Sequence, residues 1–307
     1  MVMELHVWGK PEELAIISPN CLIISWYMSL TIPLDKFKII TSSNNNISQN
    51  GELPVLRVEG EQYNGVSDII RYLVDQGYDL NSGLTKEEKA LNDGISIFLM
   101  DKFNIITDYF IFLNKLNYEN YTRSIYGQYL SFPLQYNTPL GYRSQAKSNC
   151  SRVGLTVEDK TEVEEEMLQN VPTVSKVQQL KNESLIEDKL IMKNSLTNMK
   201  CLNLLDSYIE KLFNLHKELG TSPKTTFFNS LSTADLILLS HLFIQTNDKF
   251  PDQFIKKFLD LKYPGWLDGK FNIFNEKIKP MINQIKLESP GFNDSPNLLN
   301  FIRYALI

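Results

Sequence analysis

The order of short β-type runs and helices at the front of the chain restricts its fold more than any other feature. Ser18 followed by Pro19 predicts the start of a helix, because serine accepts a hydrogen bond at the N-cap and proline suits the first helical position. A Leu53-Pro54 step opens the third β-type run. The predicted strands are 4–8, 37–41, 54–58 and 62–64, and the predicted helices are 20–32 and 66–76. This order, β-α-β-loop-β-β-α within about 75 residues, predicts a small mixed domain over residues 1–80.

The period of the apolar residues becomes helical from Thr85 onward. Thr85 and Glu88 form a capping-box pattern, and apolar residues then recur at steps of three and four as far as Asn114. Further helices are predicted over about 117–131, from Thr138-Pro139 to about 153, and over about 190–219, the last with a core stripe that includes Met199 and His216. A chain of 307 residues accommodates two domains, so residues 84–307 are predicted to form an all-helical second domain.

Composition and charge exclude several classes of function. The net charge of -5 and the lack of a basic stripe argue against a nucleic-acid-binding protein. The three cysteines and three histidines lie far apart, without the paired spacing of a metal site or a disulfide framework. No nucleophile–base–acid arrangement, paired catalytic carboxylates or glycine-rich phosphate loop is evident. We therefore expect no metal and no catalytic residues.

One uncharged stretch, 14–34, raises the question of a membrane span. Prolines at 19 and 33 limit its helix to about 14 residues, or roughly 21 Å, whereas a bilayer core is about 30 Å thick. A buried helix is the better interpretation. The first residues also lack the basic and apolar regions of a secretory signal.

An acidic segment interrupts the helical region. Residues 158–166 contain six acids in nine positions, and few aromatic residues follow, so we predict a disordered insertion over about 156–190. The composition favours a tolerated surface loop. The functional alternative is an acidic segment that attracts and binds a basic targeting segment.

The element order and the Leu53-Pro54 step resemble the thioredoxin-like domain of glutathione transferases. The box Ser232-Thr233-Ala234-Asp235 resembles the start of the central helix of their all-helical domain, and Tyr263-Pro264-Gly265-Trp266 is a weaker match. The resemblance implies an α+β fold, with a thioredoxin-like domain over 1–80 and an all-α domain over 84–307. It also implies a cis peptide bond before Pro54.

The residues that hold glutathione in that family are missing. Gly65-Val66 stands where the resemblance places a Glu/Gln-Ser pair. Losing two hydrogen bonds to a charged ligand, each worth roughly 1.5–3 kcal/mol, weakens binding at least about a hundredfold. Ser67 and Asp68 are one step off and offer partial compensation. Ser18 is favoured as an N-cap over a nucleophile, and Cys21 as a buried thiol.

Local motifs in a consistent order resemble the metaxins and their fungal relatives in the mitochondrial sorting and assembly machinery. The matches, within residues 4–150, are Leu5-His6-Val7-Trp8-Gly9, Ser18-Pro19-Asn20-Cys21-Leu22, Gly51-Glu52-Leu53-Pro54-Val55-Leu56, Asn117-Tyr118, Phe132-Pro133-Leu134, Tyr136-Asn137-Thr138-Pro139-Leu140 and Arg143-Ser144-Gln145-Ala146.

The metaxin resemblance implies a non-catalytic adaptor, without a cofactor, on the cytosolic face of the mitochondrial outer membrane. The implied partners are a barrel-shaped outer-membrane insertase, a second metaxin-like subunit and β-barrel precursors. The alternatives are a divergent glutathione-dependent transferase and a scaffold unrelated to mitochondria.

Two surfaces are candidates for contact with partners. The segment 136–146 combines polar side chains with prolines, and Tyr136, Asn137, Pro139, Arg143 and Gln145 are the predicted interface residues, the alternative being an ordinary interhelical connection. The tail 297–307 is apolar but only 11 residues long, too short to span a bilayer. It is equally compatible with docking in a partner's groove, lying at a membrane surface or covering the chain's own core.

Overall fold

The computed structural model describes residues 2–157 and 176–300, and the side chains of 176–188 and 190 lie outside that description. The acidic run 158–166 and the last seven residues of the predicted tail fall outside it as well. The strands are β1 (Met3–His6), β2 (Gly9–Lys10), β3 (Glu13–Leu14), β4 (Phe37–Ile40), β5 (Val55–Val58), β6 (Glu61–Asn64) and β7 (Leu287–Glu288). The helices are α1 (Pro19–Thr31), α2 (Gly65–Asp75), α3 (Lys86–Asp108), α4 (Lys115–Asn117), α5 (Arg123–Tyr129), α6 (Leu134–Ser151), α7 (Lys176–Glu218), α8 (Thr233–Gln245), α9 (Phe254–Lys262), α10 (Trp266–Ile273) and α11 (Lys279–Ile282). A 3₁₀ turn spans Asn45–Ile47, and π-helical segments span Tyr109–Leu113, Tyr118–Thr122 and Phe274–Ile278.

The N-terminal elements form a five-stranded mixed sheet of order β6-β5-β1-β4-β7. Strand β1 runs parallel to β4 and antiparallel to β5, and β5 and β6 form an antiparallel hairpin. The peptide bond between Leu53 and Pro54 is cis, as predicted, and that between Phe132 and Pro133 is also cis. The predicted strands and helices therefore occur in the predicted order over the first 75 residues, and the short hairpin of β2 and β3 before α1 is an addition that was not predicted.

The fifth strand comes from the far end of the chain. Ile39 and Ile40 of β4 pair in parallel with Leu287 and Glu288 of β7, and the Thr41 amide donates to the Glu288 carbonyl oxygen at 2.9 Å. The sheet edge at β4 is thus covered by the region predicted to belong to the helical domain. A two-residue strand leaves no alternating pattern in the sequence, so it was not predicted.

Helix α1 explains the uncharged stretch near the N-terminus. The Ser18 hydroxyl accepts a hydrogen bond from the Cys21 amide at 3.4 Å, which confirms the predicted cap. The helix packs against α2, α8 and α11, and most of its side chains are buried, including Trp26 and Tyr27. Among the helices that the structure describes, none combines the length and the apolar character needed to cross a bilayer.

Two predicted helix starts were wrong. Helix α6 begins at Leu134, because the amides of Tyr136 and Asn137 both donate to the Pro133 carbonyl oxygen and so close the first turn on Pro133. Pro139 consequently lies inside the helix rather than at its start. Helix α7 begins at Lys176, within the insertion predicted to be disordered over 156–190. Residues 176–189 contain no glycine or proline, many strong helix formers and as many lysines as acids, so the acidic character of 158–166 does not extend to them.

The predicted core stripe of α7 needs one correction. Cys201, Leu205, Ile209 and His216 are buried, but Met199 is 61% exposed. Met199 shares an exposed apolar face with other side chains of the same helix. The members of this face are Ile191, Met192, Leu196 and Met199.

The box at the start of α8 is confirmed. Asp235 accepts hydrogen bonds from the Ser232 amide at 3.1 Å and from the Ser232 hydroxyl at 2.8 Å, while its own amide donates to the Ser232 hydroxyl. Helix α8 is buried along nearly its whole length and packs against α1 and α3. It therefore joins the sheet domain and the helical domain into one core.

Candidate functional site: a closed cleft and the exposed face of α6

A narrow cleft separates the N-terminus of α1 and the Leu53-Pro54 turn from helices of the second domain. The first domain contributes Ser18, Asn20, Glu52 and neighbouring residues to its walls. The wall from the helical domain is formed by residues at the end of α3 and on α5 and α6, namely Asn104, Asp108, Phe112, Tyr126, Tyr142, Gln145, Ala146 and Asn149. This is the position at which the transferase resemblance predicts a ligand site.

Aromatic rings fill most of this cleft. The Trp8 ring lies 5.3 Å from Tyr126 and 6.2 Å from Tyr142, both edge to face, and Tyr142 stacks on Phe112 at 5.9 Å. The remaining space is about 90 Å³. Pockets for small ligands usually measure roughly 300–1,000 Å³, so the cleft is too small for a tripeptide such as glutathione.

Helix α6 also closes the cleft through polar contacts. The Tyr142 hydroxyl donates to the Gly51 carbonyl oxygen at 3.3 Å, and the Gln145 amide donates to the Glu52 carboxylate at 3.2 Å. Both acceptors lie in the loop that leads into Pro54. The loop before the cis proline is therefore held in place by the protein's own helix.

The Gly65-Val66 step keeps a structural role only. Gly65 has a φ of +77°, a conformation that favours glycine, and its amide donates to the Pro54 carbonyl oxygen at 3.1 Å. Val66 is buried in the core. Ser67 and Asp68 are exposed, and the Asp68 carboxylate is 3.5 Å from Arg71, so neither side chain lines the cleft.

The two candidate nucleophiles are not activated. Burial raises the pKa of the Cys21 thiol to about 11, although a hydrogen bond with Ser18 acts in the opposite direction. A nucleophilic cysteine requires a lowered pKa, because the thiolate is the reactive form. Ser18 is occupied as the cap of α1. Neither residue shows the chemistry that a glutathione-dependent transferase needs.

One carboxyl group in the cleft titrates unusually. Asp108, at the end of α3, accepts a hydrogen bond from the Asn149 amide at 3.3 Å. Burial raises the pKa of Asp108 to about 7, and the charge of Glu52 adds to the effect while the hydrogen bond opposes it. The group has no base or nucleophile at hydrogen-bonding distance among the described residues.

The five predicted interface residues all lie on α6 but face in different directions. Tyr136 and Asn137 are exposed, Pro139 is buried, and the Arg143 guanidinium lies 4.6 Å from the centre of the Tyr118 ring. Gln145 is exposed beside Glu52. The segment is therefore one helix that closes the cleft with one side and meets solvent with the other.

The outward side of α6 and the turn just before it carry apolar residues that the sequence analysis did not single out as interface residues. Phe132 and Leu140 are 74% and 57% exposed, and they flank Tyr136 at spacings of four residues. The rings of Phe132 and Tyr136 lie 6.3 Å apart. We call Phe132, Tyr136 and Leu140 the α6 stripe. Its helical spacing was the available signal, but it was hidden by the wrong helix start at Thr138.

Within residues 2–157 and 176–300, no three histidine, cysteine or acidic side chains meet in a way that would hold a metal ion.

The fold and the closed cleft define a glutathione-transferase-like protein. A glutathione S-transferase of Ceriporiopsis subvermispora, solved in complex with glutathione, superposes with a TM-score of 0.51 at 13% identity, over 90% of this chain and 98% of that one. At that identity the likeness concerns the fold alone, and it confirms the predicted α+β architecture.

Family models identify the chain more closely. The model of Tom37, an outer mitochondrial membrane transport complex protein, matches residues 21–143, and the model of the Tom37 C-terminal domain matches 156–307. The chain belongs to the Tom37 family, and the predicted relationship to the metaxins is confirmed. It is similar to the metaxin-1 homolog of Drosophila melanogaster (28% identity over 166 residues, 52% of this chain and 49% of that protein) and to metaxin-3 of Xenopus laevis (27% over 139 residues, 45% and 44%). The chain spans about half the length of these curated relatives. Family membership indicates association with the mitochondrial outer membrane.

Proposed function

We propose that this protein is a non-catalytic adaptor of the machinery that sorts and assembles β-barrel proteins in the mitochondrial outer membrane. It would act at the cytosolic face, beside a barrel-shaped insertase and a second metaxin-like subunit, and assist the folding, insertion and release of precursors. The family of outer mitochondrial membrane transport complex proteins supports this role. The proposal of a non-catalytic role rests on the cleft, because α6 and its aromatic residues occupy the space that a ligand would need.

The α6 stripe is the surface that we assign to the partner. Tyr136 and Leu140 lie one helical turn apart on α6, and Phe132 lies just before the helix with its ring 6.3 Å from that of Tyr136, so the three expose a common apolar area beside Asn137. Aromatic residues at the centre of an interface contribute most to binding, and a polar rim excludes water around them. The inner side of the same helix is fixed by Tyr142 and Gln145, so the stripe is presented on a rigid support.

The test is a pull-down of the tagged full-length chain from detergent-solubilised mitochondria. We expect an outer-membrane barrel protein to be recovered, and Tyr136→Asp or Leu140→Asp to reduce its recovery at least about tenfold, which corresponds to roughly 1.4 kcal/mol. The matched control is Leu261→Asp, which changes a residue that is 84% exposed on α9. If no barrel protein is recovered with the unmodified chain, the adaptor role is wrong. If Leu261→Asp has the same effect as the α6 variants, the surface assignment is wrong.

The alternative, a glutathione-dependent transferase, has its own test. Retention on immobilised glutathione that is lost in Ser18→Ala or Cys21→Ala would support it. We expect no retention, because Gly65 and Val66 offer no side-chain hydrogen bond to the ligand.

A further inference from the structure

A second and larger cavity lies on the other side of α1. It measures about 510 Å³ and opens between the β2–β3 hairpin, α1, β4 and the helical domain. Its wall is largely apolar and includes Leu22, Trp26, Ile39, Phe243, Phe274 and Ile285. The volume is within the roughly 300–1,000 Å³ that small-molecule sites usually have. It shares no lining residue with the closed cleft.

One of the residues that line this cavity carries a buried hydroxyl without a partner among the described residues. Ser25 is 1% exposed, and its hydroxyl has no hydrogen-bond partner among the described residues. The next hydroxyls along α1 do have partners: Ser29 donates to the Trp26 carbonyl oxygen at 2.7 Å, and Thr31 donates to that of Tyr27 at 2.8 Å. Leaving a buried hydroxyl unpaired costs roughly 1–3 kcal/mol, so this position calls for an occupant that can form a hydrogen bond.

The charges at the cavity mouth indicate that the occupant is neutral. The charged side chains of the lining are Glu12, Glu13 and Lys286. The Glu13 carboxylate forms an ion pair with Lys249. Glu12 and Lys286 have opposite charges, so the mouth has no excess of positive charge that would hold a carboxylate or phosphate headgroup.

We propose that this cavity binds a neutral lipid with a single hydrogen-bonding oxygen. The hydroxyl or carbonyl oxygen of the lipid bonds to the Ser25 hydroxyl, and its hydrocarbon body lies against Trp26, Phe243 and Phe274. A sterol and a fatty-acyl ester share this chemistry, and a membrane supplies both.

Two probes distinguish these sources in the purified full-length chain. Dehydroergosterol, a fluorescent sterol, accepts excitation energy from tryptophan, and a dibrominated methyl stearate quenches tryptophan emission; of the three tryptophans, Trp26 lines the cavity, and a Trp8→Phe, Trp266→Phe variant restricts the signal to it. Saturable binding of dehydroergosterol that ergosterol displaces identifies a sterol site, and saturable quenching by the brominated ester that methyl oleate displaces identifies an acyl-ester site. Either result supports the proposal. It is overturned if neither probe saturates, or if sodium oleate competes as well as its methyl ester.

Variants test the position of the site. Ser25→Ala removes the hydrogen bond and is expected to weaken binding about fivefold, while Ser25→Leu fills the cavity and is expected to abolish binding. Ser29→Ala is the matched control, because Ser29 is equally buried on the same helix but does not line the cavity. Should Ser25→Leu fail to fold, Ile285→Trp narrows the cavity from its partly exposed wall. A folded Ser25→Leu or Ile285→Trp variant with unchanged affinity would overturn the proposal.

Discussion

The Tyr142 hydroxyl donates a hydrogen bond to the Gly51 carbonyl oxygen at 3.3 Å, and this contact ties α6 to the loop before Pro54. The two residues belong to the two domains. The Tyr142 ring lies between Trp8 and Phe112, so the same side chain provides both the bond and the filling of the cleft. The domain interface is therefore stabilised where a transferase would hold its ligand.

Truncating Tyr142 is expected to destabilise the protein without creating a glutathione site. Tyr142→Ala removes a ring from a packed aromatic cluster and should lower the free energy of unfolding by about 3 kcal/mol. Tyr142→Phe removes only the hydrogen bond and should cost about 1 kcal/mol. Urea unfolding measures both. Equal losses in the two variants would contradict the packing role, and retention of Tyr142→Ala on immobilised glutathione would contradict our account of Gly65 and Val66.

Asp108 is expected to make stability fall as the pH rises toward 7. Burial raises the pKa of Asp108 to about 7, whereas an aspartate in an unfolded chain has a pKa near 3.9. Between these values the folded state keeps a proton that the unfolded chain has released, so raising the pH favours unfolding. Asp108→Asn should match the unmodified protein near pH 4 and exceed its stability above pH 7. Urea unfolding at several pH values gives the difference between the two proteins, and a difference that does not change with pH would refute the assignment.

The buried histidines are expected to act in the opposite sense. Burial lowers the pKa of His6 and of His216 to about 4, and that of His241 to about 3. Each is neutral in the folded state and gains a proton on unfolding below its usual pKa of about 6.5. Their contribution is complete above pH 6.5 and is lost as the pH falls toward 3 to 4. His241→Gln should therefore show a weaker loss of stability between pH 6.5 and 4.5, by thermal unfolding, than the unmodified protein. If both proteins lose the same stability between pH 6.5 and 4.5, the pKa of His241 is not lowered in the folded state.

Among the acidic residues of the helical domain, Asp235 is the one whose replacement by alanine is expected to destabilise the protein most. Its carboxylate accepts hydrogen bonds from the Ser232 amide, the Ser232 hydroxyl and, at 3.0 Å, the Phe227 amide. Asp235→Ala leaves these buried donors unpaired and should lower the free energy of unfolding by about 3 kcal/mol. Asp268→Ala serves as control, since Asp268 is an exposed acid in the first turn of α10 and should cost about 0.5 kcal/mol. If Asp235→Ala and Asp268→Ala lower the free energy of unfolding by similar amounts, the buried box at Ser232 and Asp235 contributes little to stability.

The C-terminal segment is held to the sheet by a partly buried ion pair. Arg57 on β5 lies 2.6 Å from Asp294, with side chains 26% and 21% exposed. A double-mutant cycle with Arg57→Ala and Asp294→Ala should give a coupling energy of about 1 kcal/mol. The pair Lys38–Glu288 is more exposed and should give a coupling near zero at physiological salt. A larger coupling for Lys38–Glu288 would contradict this order.

Local signals predicted much of the fold. The cap at Ser18 and the box at Ser232 are each fixed by neighbours within a few residues, and both were predicted; the cis bond before Pro54 was predicted from the family resemblance instead. The predicted start of α6 was wrong because two prolines compete there, and the hydrogen bonds from the Tyr136 and Asn137 amides to the Pro133 carbonyl oxygen place the first turn at Pro133. The predicted start of α7 was wrong because the disorder expected from the acidic run 158–166 was extended over 176–189, which has as many lysines as acids and favours a helix.

The candidate sites were harder to predict because they depend on contacts between distant residues. The loss of the Glu/Gln-Ser pair was visible at Gly65, but the closure of the cleft by Tyr142 was not. The cavity beside Ser25 brings together residues from both domains, including Phe243 and Ile285. No periodicity links such positions along the chain.

The pairing of Ile39 with Leu287 also affects how the sheet can form while the chain is being synthesised. A ribosome completes β4 almost 250 residues before it completes β7, as their pairing register shows. Throughout that interval the edge of β4 remains open, and an open edge is a template for pairing with other chains. Since chains emerge at about 5–20 residues per second, the interval lasts roughly 12–50 seconds. Protection of the β4 edge would therefore matter to a nascent chain of this kind until β7 has been synthesised.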